Sequence, residues 1–296
     1  MVVLYYLIMK KNSSDKTGKL KDQRAPVIVI RPPGSKVSLN IRELWAYREL
    51  VYFLIWRDIK VRYKQTIIGF AYAIIQPVFM MVVFSLFFGT LAKIPSGGIP
   101  YPLFNYAALL PWTLFANSVT RSSNSLVQDS GLVQKVYFPR LLMPISGILS
   151  PLVDFFIAFI VLIGLMLYFG YFPSLMMLWI IPLLIMELML AAGAGLWLSA
   201  INVQYRDVVY IVPFGIQLLL FASPVVYSST FIPARFQAAY GLINPMSGII
   251  EGFRWAILGT AAPSRLMIAS VGIIIIILIS GFFYFRRREK IFADVV

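Results

Sequence analysis

Residues 67–88 form 22 consecutive residues without a charge, and the stretch ahead of them, from Trp45 on, is crowded with Arg48, Arg57, Lys60, Arg62 and Lys64. At 1.5 Å per residue this run makes roughly 33 Å of helix, enough to cross a hydrocarbon core of ~30 Å. Basic residues ahead of such a run are retained on the inner side during insertion, so this boundary sets the direction of every later segment. The first nine residues are apolar but short, and Lys10 and Lys11 follow rather than precede them. That is the wrong order for a signal peptide and predicts an uncleaved lead-in.

Five further spans are predicted at 103–120, 145–169, 175–201, 208–227 and 265–285. The run at 103–120 is interrupted by Asn105, Pro111 and Asn117, so it is expected to pack against protein or line a pathway rather than face lipid all round. With both termini inside, 22 of the 26 basic residues fall on the cytoplasmic side and four outside (Lys93, Arg235, Arg254 and Arg265). This bias predicts six spans. It also reads the net charge of +14 as lipid-facing and topology-setting rather than as a nucleic-acid surface.

The expected architecture is an all-α integral membrane protein with six transmembrane helices, an N-terminal amphipathic interfacial helix and re-entrant helices in the last outer loop. A cytoplasmic tail covers 1–39, with a short strand expected at 27–30. The interfacial helix covers 40–65, capped by Asn40. Ile41, Leu44, Val51, Ile55 and Ile59 lie on one side and Arg42, Glu49, Arg57, Lys60 and Lys64 on the other, with Arg48 intruding on the apolar side. The six-span domain covers 66–285, and the C-terminal tail covers 286–296. Within that domain, 121–143 is an inner loop and 228–264 an outer one. The outer loop holds an apolar stretch, 245–258, capped by Asn244 with Pro245 as its first helical residue. Its 14 residues are too few to span and predict an interfacial or re-entrant helix.

Cysteine and histidine are absent, which excludes disulfide staples, thiolate nucleophiles, His-ligated metal sites and His general bases. No Gly-rich phosphate loop ending in Gly-Lys-Ser/Thr occurs, so any ATP-driven work belongs to another subunit. Asp154 and Glu187 lie in or near spans. Either is a proton relay or an inward-facing group bonded to a neighbouring helix, and the lack of a paired acid or histidine favours the second. Glu251 and Arg254, at i and i+3, are placed to pair. Tyr72, Gln76 and Phe79 share one face of the first span; Phe214, Gln217 and Phe221 share one of the fifth. Rings bracketing an amide suit a sugar, but on spacing alone ordinary packing with glutamine bonded across helices is favoured. In the inner loop, Leu126, Val127, Leu132, Val133, Val136, Tyr137 and Phe138 would leave apolar surface in the cytoplasm, which invites a partner.

Several spaced motifs resemble those of one family. They are 57–65 (RDIKVRYKQ) with Gly69, Gln76-Pro77 and Phe84; Leu110-Pro111-Trp112; Ser122-Ser123-Asn124-Ser125-Leu126; and Lys135-Val136-Tyr137-Phe138-Pro139-Arg140. Leu198-Ser199-Ala200, Tyr205-Arg206-Asp207, Ser223-Pro224-Val225, Asn244-Pro245 and the stretch 248–255 follow in order. Over about residues 40–290 the chain is similar to the membrane subunits of ABC-2 type polysaccharide exporters. The tail before Asn40 departs from the common core.

The resemblance implies a permease of the cytoplasmic (inner) membrane that pairs with itself and binds two copies of a separate ATPase. ATP and Mg would sit on that partner, with no cofactor, metal or catalytic residue in this chain. The cargo would be a lipid-linked polysaccharide such as O-antigen, capsule or teichoic acid. By the same resemblance Tyr72, Gln76, Phe79, Trp112, Phe214, Gln217 and Phe221 line the channel, which turns the aromatic-amide faces toward substrate. Leu126, Leu132, Lys135, Tyr137, Phe138 and Arg140, with Arg57 and Arg62, dock the ATPase. Asn244, Glu251 and Arg254 belong to the outer re-entrant helix. The rival readings are an ABC-2 permease for a small lipid or drug, an intramembrane glycan-modifying enzyme, for which the acid/base inventory is poor, and a proton-coupled carrier, for which an internal repeat is lacking.

Overall fold

A computed structural model describes residues 45–64, 69–262 and 264–292, all within one unit spanning 37–296. Every regular element among them is helical. The tail, the strand at 27–30, the Asn40 cap and the first turn of the surface helix lie outside the described residues. The elements are α1 (Arg48–Lys64), α2 (Gly69–Phe84, extended by a π-helical turn at Ser85–Leu91), α3 (Tyr101–Gln128) and α4 (Ser130–Lys135). After α5 (Leu142–Leu149) and α6 (Leu152–Tyr168), a 3-10 turn at Leu175–Trp179 leads into α7 (Ile180–Gln204). The chain ends with α8 (Val208–Ala222), α9 (Ala234–Ile243), α10 (Met246–Leu258) and α11 (Ser264–Arg288).

Among the described residues four stretches are long and apolar enough to cross a membrane: Ala73–Leu91, Leu142–Tyr168, Leu175–Gln204 and Met267–Arg288. The protein is an all-α, multi-span membrane protein. The expected fifth span is shorter than predicted. α8 has 15 residues, roughly 22 Å, less than a bilayer core. At Ser223 the backbone turns extended, because Pro224 disfavours a helical conformation for the residue before it.

α3 is the axis of the fold and packs against α2, α5, α6, α7, α8 and α10. The inner loop expected to open at Arg121 does not: α3 continues through 121–128 and breaks only at Asp129. The reason lies in the serine-rich stretch that reads as loop. Ser122, Ser123, Asn124 and Ser125 are buried, and Ser123, Asn124 and Ser125 find polar partners inside the protein. Ser123 and Ser125 donate to the carbonyls of Thr120 (2.9 Å) and Ser122 (2.8 Å), and Asn202 of α7 donates to the Ser123 carbonyl (2.8 Å) and to Asn124 Oδ1 (3.0 Å). Small hydroxyl side chains that bond back to their own helix let neighbouring helices approach closely.

α7 and α11 pack backbone to backbone. A Cβ on Gly281 would lie 2.3 Å from the Gly193 carbonyl oxygen, and one on Gly193 would lie 2.7 Å from Ile277 backbone. Above this contact Trp197 donates to Ser280 (3.1 Å) and stacks on Tyr284, with ring centroids 4.1 Å apart. Beyond it, at the basic end of the bundle, a second apolar cluster joins Leu54 of α1, Leu126, Val133, Phe138, Leu142, Leu196, Phe285 and Phe292. The surface helix is docked through Leu50, Val51 and Leu54 against α5, while Tyr52, Phe53 and Trp56 stay exposed. Its expected apolar stripe is therefore only partly the buried one.

Gly281→Leu is expected to separate α7 from α11, because backbone cannot yield as a side chain does. Overpacking of this kind costs about 1–3 kcal/mol, read as a drop in melting temperature of the detergent-purified chain. Wild-type melting would contradict the packing described.

Candidate functional site

The basic end of the bundle is organised by an ion-pair relay from α1. Arg57 holds both carboxylate oxygens of Asp129, at 2.8 and 2.6 Å, and also Asp58 at 3.0 and 3.2 Å. Asp129 is the residue at which α3 gives way to α4, so Arg57 ties the surface helix to that joint. Of the residues expected to dock a partner, Lys135 is exposed and Tyr137 is 66% exposed, next to an exposed Val136. Leu126 and Phe138 are instead buried in the second apolar cluster, with Leu132 packed against it. Their apolar character serves to fix α4 rather than to meet a partner. Arg140 donates to the Glu289 carbonyl (2.5 Å), fastening the following loop to the end of α11.

Arg62 does not face outward with Arg57. It donates to Asp154, as does the Tyr63 hydroxyl, joining α1 to α6. The three-way contact borders a partly enclosed cavity of about 220 Å³ between α1, α2, α3 and α6. Its polar lining is Arg62, Gln76, Thr113, Asn117, Arg121 and Asp154. Among the described residues Arg121 has no hydrogen-bond or ion-pair partner. It is partly buried, with the Arg62 guanidinium in the same lining. Pro77, also in the lining, withholds the amide that an uninterrupted helix would offer to the Ala73 carbonyl. Asp129, Arg121 and the Tyr63 contact escaped the sequence reading. The one available signal was Asp129 itself, a helix-interrupting residue 72 positions from the arginine it meets.

The aromatic-amide faces are open within one chain. Phe79 is 65% exposed, Phe214 63% and Phe221 51%, and Gln76 and Gln217 are exposed as well. Phe221 approaches buried Phe84 of α2 at 6.4 Å between ring centroids. The Tyr72 side chain lies outside the described residues. Trp112 departs from the expected channel set: it is 4% exposed, packed in the main core beside Phe115. Glu187 is wholly buried, apart from the Arg62–Asp154 contact, so the two intramembrane acids occupy different environments.

At the opposite end, the irregular segment after α8 is buried and its carbonyls are collected by one side chain. Arg254 of α10 donates to Pro224 (2.6 Å), Val225 (2.6 Å), Tyr227 (3.0 Å) and Phe104 of α3 (3.3 Å), and lies 3.7 Å over the Phe104 ring. Glu251 supplies its counter-charge at 3.4 Å and accepts the Ser229 amide at 2.7 Å. Asn244 does not cap α10 with its side chain. Its amide donates to Ser223 Oγ (2.8 Å) and, with Tyr227 and Tyr240, to the Ala222 carbonyl that ends α8. Buried irregular backbone needs such internal partners.

A family model described as ABC-2 type transporter matches residues 49–258, from the surface helix to the end of α10. The chain belongs to the ABC-2 type transporter family. The O-antigen export system permease protein RfbA of Klebsiella pneumoniae is 29% identical over 221 residues, covering 74% of this chain and 83% of its own. Its namesake in Myxococcus xanthus is 28% identical over 262 residues, 86% and 98%. The polysialic acid transport protein KpsM of Escherichia coli is 23% identical over 210 residues, 69% and 80%. The protein is thus a membrane permease of the polysaccharide and O-antigen export branch. In this ABC-2 permease the matched region contains both the Arg57 joint and the Arg254 cluster.

Arg254→Met strips four buried carbonyls and Glu251 of their donor, a change that typically costs about 3–5 kcal/mol. Folded permease recovered by gel filtration is expected to fall sharply. Arg254→Lys is expected to recover only part, since an ammonium lacks the planar fork. Full recovery of folded Arg254→Met would refute this role.

Proposed function

We propose that this permease exports a lipid-linked polysaccharide of the O-antigen class across the cytoplasmic membrane, along a path formed where two copies meet through α2 and α8. The observation that carries the reading is the open face of α8: Gln217 stands exposed among Phe214 and Phe221. An amide turned to hydrocarbon is costly, so a face that carries one calls for protein or an aqueous path. Rings beside amides supply stacking and hydrogen bonds without charge, as a neutral glycan requires. The relatives named above serve O-antigen export and polysialic acid transport, which are polysaccharide cargoes.

The topology that fits has six spans, with α3 sheltered by its neighbours despite its polarity and α8 continued by the buried segment 223–228. Both termini are then cytoplasmic, α9 and α10 form the outer re-entrant hairpin, and α1 lies on the inner surface. Two copies of a partner ATPase, which binds ATP and Mg, dock at the exposed Lys135, Val136 and Tyr137 and move α4 on hydrolysis. Asp154 held by Arg62 and Glu187 buried apart do not make the acid pair that a glycan-modifying enzyme would use.

Replacing Phe79, Phe214 and Phe221 together by Ala is expected to cut export by at least about tenfold, since each ring contact is worth ~0.5–1.5 kcal/mol. Surface glycan is compared with permease abundance on immunoblots, and export that merely follows abundance would make these rings structural. Tyr137→Ala is expected to reduce co-purification of the ATPase with permease abundance unchanged, whereas Phe138→Ala lowers abundance first. Undiminished co-purification with Tyr137→Ala would displace the docking surface from this loop.

A further inference from the structure

We propose that the cavity between α1, α2, α3 and α6 is a site for a phosphate-bearing lipid headgroup, with Arg121 and Arg62 as its cations and Asp154 as the carboxylate that the phosphate displaces. The proposal rests on the export reading above, because it names the part of a lipid-linked cargo that this chain holds.

Charge comes first. The lining holds two guanidinium groups and one carboxylate. The next carboxylate, Asp58, is engaged by Arg57 at 3.0 and 3.2 Å. Arg121 is therefore a partly buried cation without a committed counter-ion among the described residues, an arrangement that is unfavourable unless water or an anion completes it. Arginine forks match phosphate oxygens in bidentate fashion, and the amides of Gln76 and Asn117 line the same space.

Size selects the ligand further. About 220 Å³ lies below the range of roughly 300–1,000 Å³ that holds drug-sized molecules. It suits a phosphate or diphosphate and excludes an oligosaccharide. Placement fits as well, since the walls are the surface helix and the first span, so a lipid tail can remain in the bilayer while its headgroup enters. The Arg62 and Asp154 side chains keep 16% and 20% of their exposure, so their pairing is open to competition from a more highly charged anion.

The test uses the full-length chain in nanodiscs of zwitterionic lipid. Binding is measured for a long-chain polyprenyl diphosphate, the uncharged polyprenol of the same length, phosphatidylglycerol and inorganic diphosphate. Arg121→Met is expected to weaken the polyprenyl diphosphate at least roughly tenfold, the order of one lost charge-assisted contact. Polyprenol binding should be unchanged, and Arg121→Lys should fall between. Asp154→Asn is expected to tighten diphosphate binding, with melting curves identifying any loss of fold. Should that variant not fold, the Arg121 pair decides alone.

Equal affinity of folded Arg121→Met and wild type for the polyprenyl diphosphate overturns the site. Competition by phosphatidylglycerol or inorganic diphosphate at equal strength supports it and assigns the headgroup to bulk lipid or free anion. Glycan export is scored on the same variants. A chain that binds diphosphate through Arg121 yet exports no glycan supports the site and removes the export reading. A chain that exports glycan but binds diphosphate equally well without Arg121 removes the site alone.

Discussion

Polar groups at membrane depth must find partners in the protein, and α3 concentrates that requirement. Asn105, Ser118, Ser122, Ser123, Asn124 and Ser125 are all buried along it. None could face lipid cheaply. Helices α2, α5, α6, α7, α8 and α10 pack around α3 as a result, and the apolar spans form a sheath whose inner lining is set by one polar rod. The hydroxyl-to-carbonyl bonds of Ser118, Ser123 and Ser125 and the Asn202 bridge from α7 meet part of that requirement.

The same rod is gripped at both ends by arginines from other elements. At its start Arg254 reaches the Phe104 carbonyl and ring; at its end Arg57 clasps Asp129. The grips differ in kind. Arg254 is fully buried and bound to backbone on several sides, so it is a permanent fixture. The Arg57 side chain is 41% exposed, where an ion pair contributes about 1 kcal/mol or less and exchanges with solvent and neighbours. Roughly 42 Å of continuous helix therefore joins a fixed end to an adjustable one, and the adjustable end adjoins α4.

Much of this was legible in the residues. The uncharged runs gave four long apolar helices, and the interruptions by Asn105, Pro111 and Asn117 correctly forecast a helix that avoids lipid. The pairing of Glu251 with Arg254 followed from spacing. Less visible was anything that depends on long-range contacts. Ser122 to Ser125 resembles loop because composition does not reveal that Ser123 and Ser125 bond their own helix. Phe138 and Trp112 look like surface aromatics until the clusters that bury them are assembled. α8 ends early for a local reason, Pro224, yet the segment beyond stays buried only because Arg254, thirty residues later, supplies donors. The Arg62, Tyr63 and Asp154 meeting joins residues some ninety apart, and no periodicity encodes it.

The open aromatic face of α2 and α8 has a different meaning in a bilayer than it would in water. An uncovered row of phenylalanines on a soluble protein is adhesive, since burying it releases ordered solvent. Acyl chains solvate the same rings about as well as another protein does. In the proposed dimer a seam lined this way would gain little from closing and lose little from parting. Its resting state would be set by shape and by its few amides, which would leave it able to widen around cargo of varying girth without first breaking a hydrophobic seal.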